Sequence, residues 1–190
     1  MKKVIIIFIS LIVAAFLVIS IGKYFVEREI IQRDQDVDEK WNLLKNDVYL
    51  HAELLSKINE NNKYISNDSL NLIINNQKMI NECTLDFSEN EYYLNKLVLK
   101  IKADTLSNDS DLNALESKHK RLNHLVLNYD TAARNYNDFI RSFPLNLYTF
   151  KRYKTKEWFE LKYGIENENP KTKYDKDLEW MLEIEKSKGL

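Results

Sequence analysis

Residues 111–144, "DLNALESKHKRLNHLVLNYDTAARNYNDFIRSFP", decide how the chain folds. Leu112, Leu115, His119, Leu122, Val126, Tyr129, Ala133, Tyr136, Ile140 and Phe143 recur at alternating steps of three and four for over four heptads. That is the period of a helix with one apolar stripe. Pro144 closes it, because an interior proline removes a backbone donor and clashes with the preceding turn.

The same spacing runs upstream. Ile30, Val37, Trp41, Leu44, Val48, Leu55, Ile58 and Ile65 mark a second long stripe with a coiled-coil-like seam, its remaining slots taken by Asp34, His51 and Asn62. "ISND", 65–68, breaks it, with Ser66 or Asp68 as the next N-cap. A shorter helix carrying Leu70, Ile73, Gln77 and Ile80 is expected to end near Cys83 to Asp86. A further one, opening at Ser88 with Glu91 as a capping box, carries Leu94, Leu97 and Ile101. "SNDSD", 107–111, is a turn. Strand-like alternation is absent from the pattern. Four helices with short turns and one stripe each bury those stripes only against one another, so an all-α antiparallel four-helix bundle over residues 24–160 is expected. Residues 161–190 read as a polar linker and a short amphipathic helix around Leu178, Met181, Leu182 and Glu185.

Residues 1–23, "MKKVIIIFISLIVAAFLVISIGK", form the third feature. Eighteen residues from Val4 to Ile21 carry no charge; at the helical rise they span about 27 Å, the thickness of a hydrocarbon core. A transmembrane helix is the leading expectation. A cleaved signal peptide is the alternative, with Ser20-Ile21-Gly22 at the cleavage site. Lys2 and Lys3 place the N-terminus in the cytoplasm and the remainder outside a cell membrane. Beyond Lys23 there are 25 basic and 29 acidic residues, and that net negative balance does not describe a nucleic-acid surface.

Composition narrows the chemistry. Gly22, Gly164 and Gly189 are the chain's three glycines, so residues 23–163 cannot form a glycine-rich phosphate loop. The single cysteine, Cys83, makes no internal disulfide and no thiolate cluster. Glu116 and His119 have the Glu-x-x-His spacing of di-metal bundles, but His51 and His124 have Val48 and Arg121 where the second copy needs carboxylates. Glu116 and His119 therefore read as boundary residues on a solvated edge. No catalytic residue, metal or cofactor is assigned.

His51 and His119 both occupy stripe positions. They lie 29 residues beyond Gly22 and 24 before Phe143, about 43 and 36 Å along antiparallel helices. Two readings stand: independent edge histidines, or a pair sharing one layer whose protonation lowers stability between about pH 7 and 5.5.

The stretch "YDTAARNYNDFIRSFPLNLYTFKRYKTKEWFE", 129–160, resembles the closing signature of the LemA family. That signature is a doubled Tyr-Asn repeat, a Phe-Pro dipeptide, an Asn-Leu and a phenylalanine-rich end. Its counterparts are Tyr129-Asp130, Arg134, Tyr136-Asn137, Phe143-Pro144, Asn146-Leu147 and Phe159-Glu160. A weaker likeness runs from Val37 and Trp41 through Glu53-Leu54-Leu55 to Ile58. The chain departs from the pattern at Leu50-His51, where the family carries paired arginines, at Ser56 and Lys57, and at Asp130, where it carries asparagine. The resemblance implies an N-terminal anchor and an extracytoplasmic helical bundle in bacteria; it brings no enzymatic activity.

Those observations lead to a membrane-anchored scaffold or partner-binding protein of the LemA type, with the membrane and another membrane protein as partners. The alternative is an indirect ligand or stress sensor acting through such a protein; a metal-dependent enzyme is a third class. The segment after Pro144, with Tyr148, Lys151, Arg152, Tyr153, Lys154, Lys156 and Trp158, has two readings: a loop capping the end of the helices, or a second membrane-interface attachment.

Overall fold

The structure, a computed structural model, describes residues 2–62, 66–80, 82–103, 109–142, 152–159 and 161–187. Five helices account for nearly all of them: α1 (Lys2–Asn62), α2 (Asn67–Met79), α3 (Leu85–Ala103), α4 (Asp109–Arg141) and α5 (Pro170–Ser187). No strand occurs among the described residues. The expected all-α class is what is found.

α1 runs without a break from the apolar segment into the charged one. Within Ile9–Glu60 an 18-residue window has mean hydropathy 2.2 and no buried share. That is one N-terminal helix long and apolar enough to cross a membrane. Phe16 and Val18 are each 70% exposed, and such a sleeve of large apolar side chains has no partner in water.

Two compact units divide the chain, and both long helices contribute to each. The first combines residues 1–38 with residues 132–156. There Ile30 and Val37 of α1 are buried, as are Ala133, Tyr136 and Ile140 of α4. Arg33 places its guanidinium 4.5 Å over the Phe139 ring, a cation–π contact. Asn137 donates Nδ2–H to the carbonyl of Lys156 and accepts the Lys156 N–H, both at 2.8 Å.

The second unit combines residues 39–131 and 157–190. One apolar cluster within it gathers Ala52, Leu55 and Ile58 from α1, Leu70 from α2, Leu94, Leu97, Val98 and Ile101 from α3, and Leu115 from α4. Trp41 meets Phe87 edge-on at 4.8 Å and Tyr129 at 5.5 Å. Among the described residues, most of the expected seam of α1 from Ile30 to Ile58 and of α4 from Leu115 to Ile140 is buried, His51 and His119 included, while Asp34 and Leu112 are half-buried; Ile65 and Phe143 lie outside the described residues.

Helix ends differ from expectation in two places. α3 opens at Leu85, because Thr84 Oγ1 accepts the Phe87 N–H at 3.2 Å and Thr84 is the cap. Ser88 and Glu91 are therefore interior and buried rather than a capping box. α2 stops at Met79, before the expected end. α4 ends at Arg141, where Ser142 N–H and Oγ–H both bond the Phe139 carbonyl; Phe143, Pro144 and Asn146 lie outside the described residues. α5 begins with Pro170 at its first position and Asn169 as its cap, accepting N–H bonds from Lys171 and Thr172.

Candidate functional site

Asparagine and aspartate recur on α4 at 123, 130 and 137, seven residues apart and so on one face of the helix. In the second unit this face, with Asn95 of α3, holds a strap made of residues 157–159 and 161–167. Asn123 accepts the Tyr163 N–H at 2.8 Å and donates to the Tyr163 carbonyl at 3.1 Å. Asn95 accepts the Gly164 N–H at 2.8 Å and donates to the Ile165 carbonyl at 2.7 Å. A carboxamide offers the same donor and acceptor as a peptide unit, so each asparagine pairs with the strap as a neighbouring strand would. Asp130, where the LemA pattern leads one to expect asparagine, accepts the Phe159 N–H at 2.8 Å and has no amide donor to give. Tyr129 supplies a donor instead, bonding the Glu157 carbonyl at 2.8 Å.

Spacing makes this registry work. Seven helical residues rise about 10.5 Å, and the four chain steps from Phe159 to Tyr163 can reach about 13 Å, enough to span that distance. Alternate strap side chains, Phe159, Leu161 and Tyr163, are buried and Lys162 between them is exposed. The strap is read through its backbone on one side and anchored by three rings or aliphatic groups on the other.

Tyr163 is the centre of a buried polar cluster. Its hydroxyl donates to Glu91 Oε2 at 2.6 Å, and Gln77 Nε2 donates to Glu91 Oε1 at 2.5 Å. Its ring stands edge-on to His51 at 5.5 Å and stacks on His119 at 6.2 Å. His51 and His119 meet through their Nε2 atoms at 3.3 Å, so the reading that placed them in one layer is correct. A bond between two Nε2 atoms needs opposite tautomers, one imidazole donating and the other accepting. Neither Nδ1 atom, nor Gln77 Oε1, has a protein hydrogen-bond partner.

Burial governs the protonation of this cluster. It lowers His51 to about 3, with the neighbouring His119 and Lys118 adding to the effect. It lowers His119 to about 4, with Lys102 contributing. Both imidazoles are neutral at pH 7. The expected loss of stability on acidification keeps its sign, begins near pH 6.5 and extends toward pH 4, with desolvation rather than mutual repulsion as the larger cause. Glu91 is pushed the other way, up to about 7, by burial, against the opposing pull of its bonds from Tyr163 and Gln77. Nearby, Asp47 is buried and its Oδ1 lies 3.1 Å from Lys118 Nζ and 3.0 Å from Arg121 Nε.

The other sequence-predicted positions separate. His119 is buried and is not an edge residue, whereas Glu116 is exposed and reaches Lys120 at 3.9 Å. Cys83 is buried, and burial pushes its thiol up to about 12, the opposite of an activated nucleophile. Of the interface set, Arg152 Nη1 lies 2.7 Å from Glu27, and Lys156 Nζ lies 2.6 Å from Asp34 and 3.2 Å from Asp38. Two of its charges are thus engaged with α1 inside the first unit. Lys154 and Trp158 are exposed and Tyr153 is half-buried; Tyr148 and Lys151 lie outside the described residues. In the motif set, Tyr129, Tyr136 and Asn137 are buried and Arg134 is exposed.

Sequence reasoning missed Glu91, Tyr163, Asn95 and Asn123 as members of a site. The available signal was the Asn-Asp-Asn series at sevenfold spacing beside the stripe of α4. Compared with known proteins, the chain gives no significant match to a family model, a curated protein or a solved structure.

Proposed function

We propose that this chain is a membrane-anchored scaffold or partner-binding protein of the LemA type, its helices packed as an antiparallel four-helix bundle on the outer face of a cell membrane. The observation that carries the reading is α1. A single helix joins an unburied apolar run to a segment whose stripe from Ile30 to Ile58 enters the core. The apolar run and the buried stripe belong to the same helix.

The resemblance at residues 129–160 supports the same reading. Tyr129, Asp130 and Asn137 are the residues that hold the main chain at Glu157, Phe159 and Lys156, which gives the doubled motif a mechanical purpose. A chain built this way works by presenting a surface. In this reading its output passes through another membrane protein.

The test is fractionation of cells expressing the full chain with a tag at Leu190. The protein stays in the pellet after alkaline carbonate washing, and the tag is accessible from outside. A soluble product starting near Lys23 overturns the anchor, and a tag accessible only after lysis overturns the orientation.

A further inference from the structure

Among the described residues of the second unit, the buried polar cluster brings titratable groups together with several polar atoms lacking a protein partner. Two imidazoles face each other through Nε2 at 3.3 Å, and neither Nδ1 has an acceptor. Lys118 bears on His51 and Lys102 on His119, while Glu91, Cys83 and Asp47 bear on Tyr163, which covers both rings. Lys118 comes from α4, Lys102 and Glu91 from α3, Asp47 from α1, Cys83 from the turn before α3, and Tyr163 from the strap. The charges closest in effect on the pair are lysines. With two nitrogen donors, and no group of three or more His, Cys, Asp or Glu able to hold a metal among the described residues, the pair is not set up to take a cation in place of protons.

A doubly protonated pair has two N–H groups pointing at each other and no acceptor for either outer N–H. Such an arrangement needs water. Tyr163 is the lid, its ring against both imidazoles. The lid belongs to a segment held by side-chain clamps from Asn123, Asn95, Asp130 and Tyr129, whereas α1 and α4 are held by continuous helical hydrogen bonds. The strap is the weakest cover over the cluster.

We propose that the His51–His119 pair is a proton-operated latch, in which ionisation of the two imidazoles lifts the strap that carries Phe159 and Leu161 to Asn167 from α3 and α4 while the helices stay folded. This is independent of the membrane reading. Lifting the strap exposes Phe159, Leu161 and Tyr163, and with them the faces of Asn95 and Asn123 that pair with extended backbone.

Proton linkage fixes the size of the effect. Each imidazole that is neutral when covered and titrates near its ordinary value when open favours opening about tenfold per pH unit of acidification. Glu91, protonated below about 7 when covered, opposes this by about tenfold per unit down to its ordinary range. The net rise is about tenfold per unit between roughly pH 6 and 4.5.

The experiment is amide hydrogen exchange on the full chain in detergent micelles at pH 7, 6, 5 and 4.5, each rate divided by its intrinsic value. The expected result is a progressive loss of protection at Phe159, Tyr163 and Gly164 with Leu122 and Val126 unchanged. Glu91→Gln steepens the strap response to about 100-fold per unit, and His51→Gln with His119→Gln reverses it. Flat strap protection, or loss of strap and α4 protection at the same pH, overturns the latch. Imidazole titration in the unmodified protein decides the matter even where a variant fails to fold. Ordinary titration near pH 6.5 at both histidines, with the strap still protected, overturns it too.

Discussion

His119 Nδ1 lies 2.9 Å from where a Cβ on Gly164 would stand, and Lys102 Nζ lies 3.4 Å from it. Gly164 also has φ of 82°, in the left-handed region that side chains rarely adopt. Both constraints act on one residue: the turn that follows Tyr163 approaches the imidazole closely enough to leave no room for a methyl group.

Gly164→Ala is therefore expected to destabilise the protein by about 2–4 kcal/mol, combining left-handed backbone strain with displacement of a buried ring. Urea denaturation at pH 7.5 measures it. The lever is steric, so Gly164→Ala in a His119→Ala background should cost less. Equal costs in both backgrounds would show that backbone conformation alone sets the requirement.

Glu91 gives the second prediction. Its folded-state value is raised to about 7 from about 4.5, so its contribution to stability is fully present below about pH 4.5 and is lost as pH rises through about 7. At pH 8 the carboxylate is ionised in a buried site. Glu91→Gln removes that charge, still accepts from Tyr163, and can donate to the unpartnered Gln77 Oε1. The variant should be more stable than the parent at pH 8 by about 1–3 kcal/mol, with the advantage shrinking toward pH 5. Thermal melts at the two pH values decide it; an advantage independent of pH would place the effect in packing.

The histidines slope the opposite way. Their folded-state values are depressed, to about 3 and about 4, so their contribution is present above about pH 6.5 and is lost as pH falls toward those values. Replacing both by Gln should flatten the acid limb of the stability profile of the whole protein. An acid limb unchanged in the double variant would assign it to other groups.

Asn123 tests the pairing with the strap. Asn123→Asp keeps the acceptor for Tyr163 N–H and loses the donor to its carbonyl, at a position half-buried against the strap. A cost of about 1–3 kcal/mol is expected from the loss and from the charge brought in. Asn123→Gln keeps both groups but moves them by one methylene, and it should not restore the parent value. Full stability in Asn123→Asp would show that the strap needs only the acceptor, as at Asp130.

The helices were legible because their information is periodic and local. Leu44, Val48, Leu55 and Ile58 on α1, and Leu115, Leu122 and Val126 on α4, announce their buried faces through spacing alone, and Pro144 warns of the stop. His51 and His119 could be placed in one layer for the same reason: distance along a helix is fixed by its rise. The site was largely illegible because the strap has no period to read. Tyr163 sits in a run of charges, between Lys162 and Glu166, and its burial depends on Asn95 and Asn123 more than 40 residues away on average. Glu91 shows how a local rule misleads. Ser88-x-x-Glu91 satisfies the capping pattern, but Thr84, four residues earlier, takes the cap and carries Glu91 into the interior.

Lys156 carries the last prediction. Asp34 and Asp38 sit one turn apart on α1, and the Lys156 ammonium joins them at 2.6 and 3.2 Å. Lys156 is raised above its ordinary value by these bonds, against an opposing desolvation. Its contribution is therefore present at neutral pH and is lost only as pH rises through that raised value. Lys156→Gln leaves two like charges facing each other, at a cost of about 1 kcal/mol or less for a site this open to solvent. The same pairing, with Arg152 on Glu27, means that these two cations are already neutralised by the chain itself and have little charge to offer anionic headgroups. Arg152→Gln and Lys156→Gln should thus lower stability slightly in a salt-dependent way and leave the full chain in the membrane pellet at every salt concentration. Release of either variant from the membrane by high salt, under conditions that retain the parent, would return these residues to a direct role at the lipid surface and take part of the attachment away from α1.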